Sequence, residues 1–221
     1  MKQATICFIF SLLSISVFSQ TPIRFYENGK VGYKLDGKII VTASYDGGSN
    51  FNEGFALVVQ NGKRGFLNTN GEVAIPLEYT DASIFSEGLA KVVKDGKAGF
   101  INSKNEIVIP MLYNFADDFK NGIARVELNG KWGFIDKSNS KIIPLIYDQA
   151  NNFSEGLASV CKNGKWGFID NTGETIVPFQ YDRAFFFVKG EAKVILGEEE
   201  FYINKQNGFI REEIKRSEHE G

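Results

Sequence analysis

Asn129-Gly130-Lys131-Trp132-Gly133-Phe134-Ile135-Asp136 returns 34 residues later as Asn163-Gly164-Lys165-Trp166-Gly167-Phe168-Ile169-Asp170. The same spacing relates Pro76, Pro110, Pro144 and Pro178, then Tyr45, Tyr79, Tyr113, Tyr147 and Tyr181. It also relates Gly54, Gly88, Gly122, Gly156 and Gly190. A fixed period of this size means one structural unit stacked on copies of itself. Each unit is too small to bury its own apolar face, so its stability comes from its neighbours.

The unit reads as β. In the copy from Gly88 to Phe119, Leu89–Lys94 has strand composition and Asp95-Gly96 closes a hairpin. Asn28-Gly29, Asn61-Gly62, Asn129-Gly130 and Asn163-Gly164 stand there in other copies. Such pairs tolerate the positive φ that a two-residue turn demands at both central positions. The chain returns as Lys97–Asn102 and turns again near Ser103–Asn105, where two copies carry Gly71 and Gly173. A third strand ends at Pro110, which cannot donate to a ladder. A helical repeat of the same period is excluded, because each glycine and proline would cost about 1 and about 3 kcal/mol inside a helix.

Comparing copies position by position separates inside from outside. Ala56, Ala90, Ala124, Ala158 and Ala192 do not vary, nor do Val58, Val92, Val126, Val160 and Val194. The column between them runs Leu57, Lys91, Arg125, Ser159, Lys193. Alternate strand residues face opposite ways, so the invariant columns point inward and the variable one is expected to meet solvent. Tyr33, Phe66, Phe100, Phe134 and Phe168 form an inward aromatic column, and Phe51, Phe85, Phe119, Phe153 and Phe187 another. The mid-strand glycine at 32, 65, 99, 133 and 167 weakens a sheet unless something must approach closely, and a neighbouring ring is the expected reason. The expected fold is all-β: tandem 34-residue antiparallel three-stranded repeats stacked as an open solenoid-like array. Three strands favour the open form over the alternative, a five-bladed β-propeller, whose blades typically have four.

Lys131–Asp136 and Lys165–Asp170, with Ile143-Pro144, Tyr147-Asp148 and Phe153-Ser154-Glu155-Gly156-Leu157-Ala158, resemble the bacterial WG (KWG) repeat over roughly residues 28–204. Arg64 and Ala98 replace the tryptophan in two copies, so the indole is not structurally required. The resemblance implies β-repeat modules without an established activity, and bears on fold more than on function.

Residues 1–19 read as a secretory signal: Lys2 at the start, an apolar run from Ile6 to Phe18, and Val17 and Ser19 placed for cleavage before Gln20. The run is too short for a stable membrane span. The expected domains are therefore a signal peptide (1–19), a repeat domain (20–210) and a charged, disordered tail (211–221). The expected location is exported: periplasmic, on the outer surface or extracellular. With 25 basic and 27 acidic residues the chain has no basic field for nucleic acid, and no later stretch is apolar enough for an integral membrane span. Only Cys161 follows the signal, so no disulfide framework exists.

His219, the single histidine, lies in the tail, so histidine-based catalysis and metal sites have nothing to use within the repeats. Cys161 sits in a column of Val59, Val93, Glu127 and Ile195 and reads as packed rather than nucleophilic. Glu53, Glu87 and Glu155 precede the turn glycine, and Asp46, Asp148 and Asp182 follow the repeated tyrosine. Periodic carboxylates read as turn residues accepting backbone N–H bonds, whereas an active site is one constellation. They lack a calcium-type ligand loop, and no glycine-rich phosphate loop opens a helix. No catalytic, cofactor or metal residue is assigned. Trp132 and Trp166, in a variable column, are the partner-binding candidates. The expected function is an exported, non-enzymatic binding or scaffold module for a protein or cell-envelope glycan. The alternatives are an envelope hydrolase with a carboxylate pair and a purely structural envelope protein.

Overall fold

The computed structural model describes residues 20–212. The proposed signal peptide and most of the charged tail, His219 included, lie outside them. The described residues form six antiparallel sheets and no helix. The first has three strands, Ile23–Glu27, Lys30–Leu35 and Lys38–Tyr45. The second has four, Gly47–Gly48, Phe55–Gln60, Lys63–Asn68 and Val73–Tyr79. Its pattern recurs in sheets opening at Asp81–Ala82, Phe115–Ala116, Gln149–Ala150 and Arg183–Ala184. Within every sheet the strands pair in chain order as an open meander, not closed into a barrel.

The hairpins follow the turn chemistry of their sequences. Asn129 and Gly130 have φ of 53° and 78°, and the equivalent pairs match them. After the second hairpin the ladder slips. Trp132 pairs with Tyr147 and Phe134 with Ile143, so Gly133 alone opposes the three residues Pro144, Leu145 and Ile146 of a bulge. This bulge explains Gly133. A Cβ there would stand 2.7 Å from the Ile143 carbonyl oxygen and 2.8 Å from that of Pro144. The neighbour that demands glycine is thus mainly backbone; a ring fills that role only at Gly32, against Phe25, and there a carbonyl is just as close.

The core lies between sheets rather than inside them. Ala56, Val58 and Leu67 of the second sheet pack on Val31 and Tyr33 of the first. Phe66, Ile75 and Tyr79, on its opposite face, pack on Ala82, Phe85 and Val92 of the third. The same alternation continues down the chain. With both faces covered, the column expected in solvent is half-buried at Leu57, Lys91, Arg125 and Lys193, and Ser159 is buried. The two aromatic columns do not form one continuous stack. They meet in pairs across each junction, such as Phe100 with Phe119 (4.7 Å) and Phe168 with Phe187 (4.8 Å).

Sheets two to six have four strands, not three, so strand count is no ground for an open form. Strands pair only within a sheet and packing passes between consecutive sheets, the arrangement of a tandem, solenoid-like array. The two-residue opening strand is too short to leave a pattern in the sequence. The final strand, Phe209–Glu212, also extends two residues into the segment read as tail.

Candidate binding cleft between the fourth and fifth sheets

Three kinds of hydrogen bond tie one sheet to the next. The first runs from the residue before each turn glutamate to a phenylalanine carbonyl in the following sheet. Asn52 donates to Phe85 (2.6 Å), Ser86 to Phe119 (2.9 Å) and Ser154 to Phe187 (2.7 Å). The second is a carboxylate cap. Glu53 accepts from the N–H groups of Glu87 and Gly88 at 2.8 and 2.9 Å. Glu87 accepts from Gly122 (2.9 Å), and Glu155 from Lys189 and Gly190 at 2.6 and 2.9 Å. Each glutamate therefore serves the turn one repeat ahead, not its own. The third joins the repeated tyrosine to a turn asparagine of the next sheet: Tyr79 to Asn105 (2.7 Å), Tyr113 to Asn139 (2.6 Å) and Tyr181 to Asn207 (2.6 Å).

Lysines reinforce two of the caps. Lys137 lies 3.1 Å from the Glu87 carboxylate and Lys205 3.5 Å from that of Glu155. Partial burial pushes the Glu87 carboxyl up, but the Gly122 N–H, Lys137 and the Asn121 N–H outweigh it and hold it below the usual range. For Glu155 the Gly190 N–H is the leading cause, opposed by desolvation and aided by the Lys189 N–H and Lys205.

Between the fourth and fifth sheets all three ties are missing. Lys120 replaces the serine, Asn121 the glutamate, and Gly173 occupies the repeat position of the asparagine that would meet Tyr147. Asn171 also stands where two of the caps have Lys137 and Lys205 and the third has Ser103. Among the described residues, nothing accepts from the N–H groups of Glu155 and Gly156, and Lys120 has no ion-pair partner. A cleft of about 660 Å³ opens here, lined by Lys120, Asn121, Phe153, Glu155, Gly156 and Asn171 among others. Phe153 is half-buried, as is Phe51, whereas Phe85, Phe119 and Phe187 are buried.

Arg125 forms one wall. Its Nε donates to Asp117 at 2.8 Å, and Nη1 donates to the Ala150 carbonyl across the junction. The guanidinium stacks 4.8 Å from the Trp132 ring centroid, and Phe115 flanks the indole at 5.3 Å. Trp132 is thus linked to the cleft through Arg125, whereas Trp166 packs one junction further on, against the core shared by the fifth and sixth sheets. The two candidate indoles are not brought together.

The other residues weighed in the sequence sit in structural surroundings. Burial pushes the Cys161 thiol up, with Asp148 adding to it. Asp46, Asp148 and Asp182 pair with Lys30, Lys131 and Lys165 and accept turn N–H bonds from Asn61, Gly164 and Gly197. No group of three or more His, Cys, Asp or Glu among the described residues is arranged to hold a metal ion. Nor is any helix among the described residues long and apolar enough to cross a membrane. Sequence reading passed over Lys120, Asn121, Phe153 and Asn171. The signal was present: the 34-residue glutamate series skips position 121.

Repeated four-stranded sheets with this motif define a β-repeat protein, and the WG containing repeat matches residues 33–63, 65–97, 99–132, 132–166 and 166–208. The chain belongs to that family. Comparison with curated proteins gave no match. Among solved structures, a eukaryotic initiation factor is similar in fold (TM-score 0.57, 11% identity), covering 90% of this chain and 63% of that one. BamB from Moraxella catarrhalis is 11% identical with a TM-score of 0.46, covering 87% of this chain and 69% of that one. For Hsv2 from Kluyveromyces lactis the identity is 7% and the TM-score 0.47, covering 72% and 59% respectively.

Proposed function

We propose that the protein is an exported, non-enzymatic binding or scaffold module for a protein or cell-envelope glycan, with the cleft between the fourth and fifth sheets as its contact site. One observation carries this reading: the junctions on either side carry all three inter-sheet ties, whereas this one lacks them, as does that between the first and second sheets, and here a cleft opens. A purely structural array gains nothing from that omission, since it loses stability at no compensating contact. Trp132 contributes through Arg125, and Trp166 extends the same edge of the array. The carboxylates are engaged in turns and ion pairs, which leaves the hydrolase alternative without a distinctive pair. Export rests on the layout of residues 1–19.

Two measurements test this. Intact mass of the native product should correspond to residues 20–221, and a full-length cytoplasmic product would overturn the export reading. Equilibrium pull-down from envelope extracts should recover a saturable partner, with less recovered by Trp132→Ala. Recovery of nothing above background would leave the purely structural alternative in place.

A further inference from the structure

We infer that the cleft binds a carboxylate, delivered by a ligand that also carries an apolar group. This rests on the binding-module reading and specifies its ligand. The chain itself supplies the template. At the junctions after the second, third and fifth sheets, the paired turn N–H groups hold a carboxylate from the preceding repeat, at 2.6–2.9 Å. At the junction after the fourth sheet the same turn is present, with Glu155 and Gly156 at φ of 51° and 87°, against 54° and 86° for Glu87 and Gly88. Its donors are identical in kind, and the internal carboxylate has been replaced by Asn121.

Two adjacent N–H groups in a left-handed turn form a concave anion site whose specificity is set by geometry rather than net charge. Lys120 adds a cation without an ion-pair partner among the described residues, in the place of a neutral serine. The acidic groups nearby are largely engaged: Asp117 by Arg125 and Glu155 by the next turn and Lys205. Asp118 alone opposes an incoming anion from the cleft wall. The half-buried Phe153 ring supplies the apolar contact. Both a free small organic acid and the carboxylate of a peptide satisfy this chemistry.

The test exploits a substitution that should fill the site from within. Asn121 has φ of 53°, matching Glu87 and Glu155, so Asn121→Glu places a carboxylate where its counterparts sit. The folded protein, labelled with nitrogen-15, is titrated with 3-phenylpropionate and its amide. It is then titrated with a blocked tripeptide ending in phenylalanine, as free acid and as amide. Saturable shifts of the Glu155 and Gly156 amide resonances are expected with at least one acid, at tenfold or more higher affinity than the matching amide. Tighter binding of the tripeptide acid assigns a peptide source, and tighter binding of phenylpropionate a small acid. Asn121→Glu should weaken the acid tenfold or more while denaturing no earlier than the parent chain. Equal affinity for acid and amide, or unchanged binding in Asn121→Glu, overturns the inference. If Asn121→Glu still recovers the envelope partner, the carboxylate site falls while the binding-module reading stands.

Discussion

Replacing Gly133 with alanine sets two physical arguments against each other. By strand propensity the change should help, since glycine in a strand interior costs roughly 0.5–1 kcal/mol relative to alanine. By packing it should hurt. The new Cβ would lie 2.7, 2.8 and 2.9 Å from Ile143 O, Pro144 O and Leu145 N, so the bulged strand must retreat by roughly 0.5–0.7 Å to reach ordinary contact. Backbone cannot rotate aside as a side chain can, and overpacking of this kind costs about 1–3 kcal/mol. Stretched ladder bonds on either side add about 1 kcal/mol. The expected net loss is about 2 kcal/mol, or a fall in melting temperature of roughly 4–8 °C for a chain this long. Gly47→Ala is the control. Its Cβ would meet only Val59 side-chain atoms at 3.6 Å, and the other copies carry Asp81, Phe115, Gln149 and Arg183 there. It should be neutral or stabilising by up to about 1 kcal/mol. Urea denaturation followed by circular dichroism reads both. A midpoint for Gly133→Ala equal to or above the parent value would refute the steric account.

Tyr113→Phe removes the bond to Asn139 and should cost about 1 kcal/mol, whereas Tyr147→Phe, with Gly173 at the asparagine's repeat position, should cost nothing measurable in the same denaturation assay. Trp132→Ala and Trp166→Ala each remove a half-buried indole, and calorimetry should show a loss of about 1–2 kcal/mol without collapse of the fold. Glu87, Glu155, Asp46, Asp148 and Asp182 all titrate below the usual carboxylate range, so the unfolded chain binds more protons than the folded one in acid. Their stabilisation should be complete above about pH 5 and lost as pH falls through the folded values, which a melting series from pH 7 to pH 2 would trace. A flat series would show that these caps and pairs contribute nothing.

The period, hairpins, inward columns and bulge-facing glycine were legible because each is a local signal repeated in register. The short opening strands were not, since two residues such as Gln149–Ala150 show no alternation. The exposed column was misplaced because alternation locates faces without saying what covers them. At Ser159 both faces of the sheet are covered by neighbours. The cleft was visible only as a lapse in periodicity. Glu53, Glu87 and Glu155 read as ordinary turn residues, and their function as bridges to the next repeat needed three dimensions. Only then does the missing member at Asn121 become the informative one.

The uneven distribution of crossties also has a mechanical meaning. A linear assembly under tension yields where its links are fewest, and here that place lies between Tyr147 and Gln149, where the Arg125–Ala150 bond, the Lys131–Asp148 ion pair and side-chain packing span the seam. Pulled from its ends, the molecule should part first into a block of four sheets and a block of two. A guest lodged against Glu155 and Gly156 while touching Lys120 would splint that seam, so occupancy would register as resistance to force.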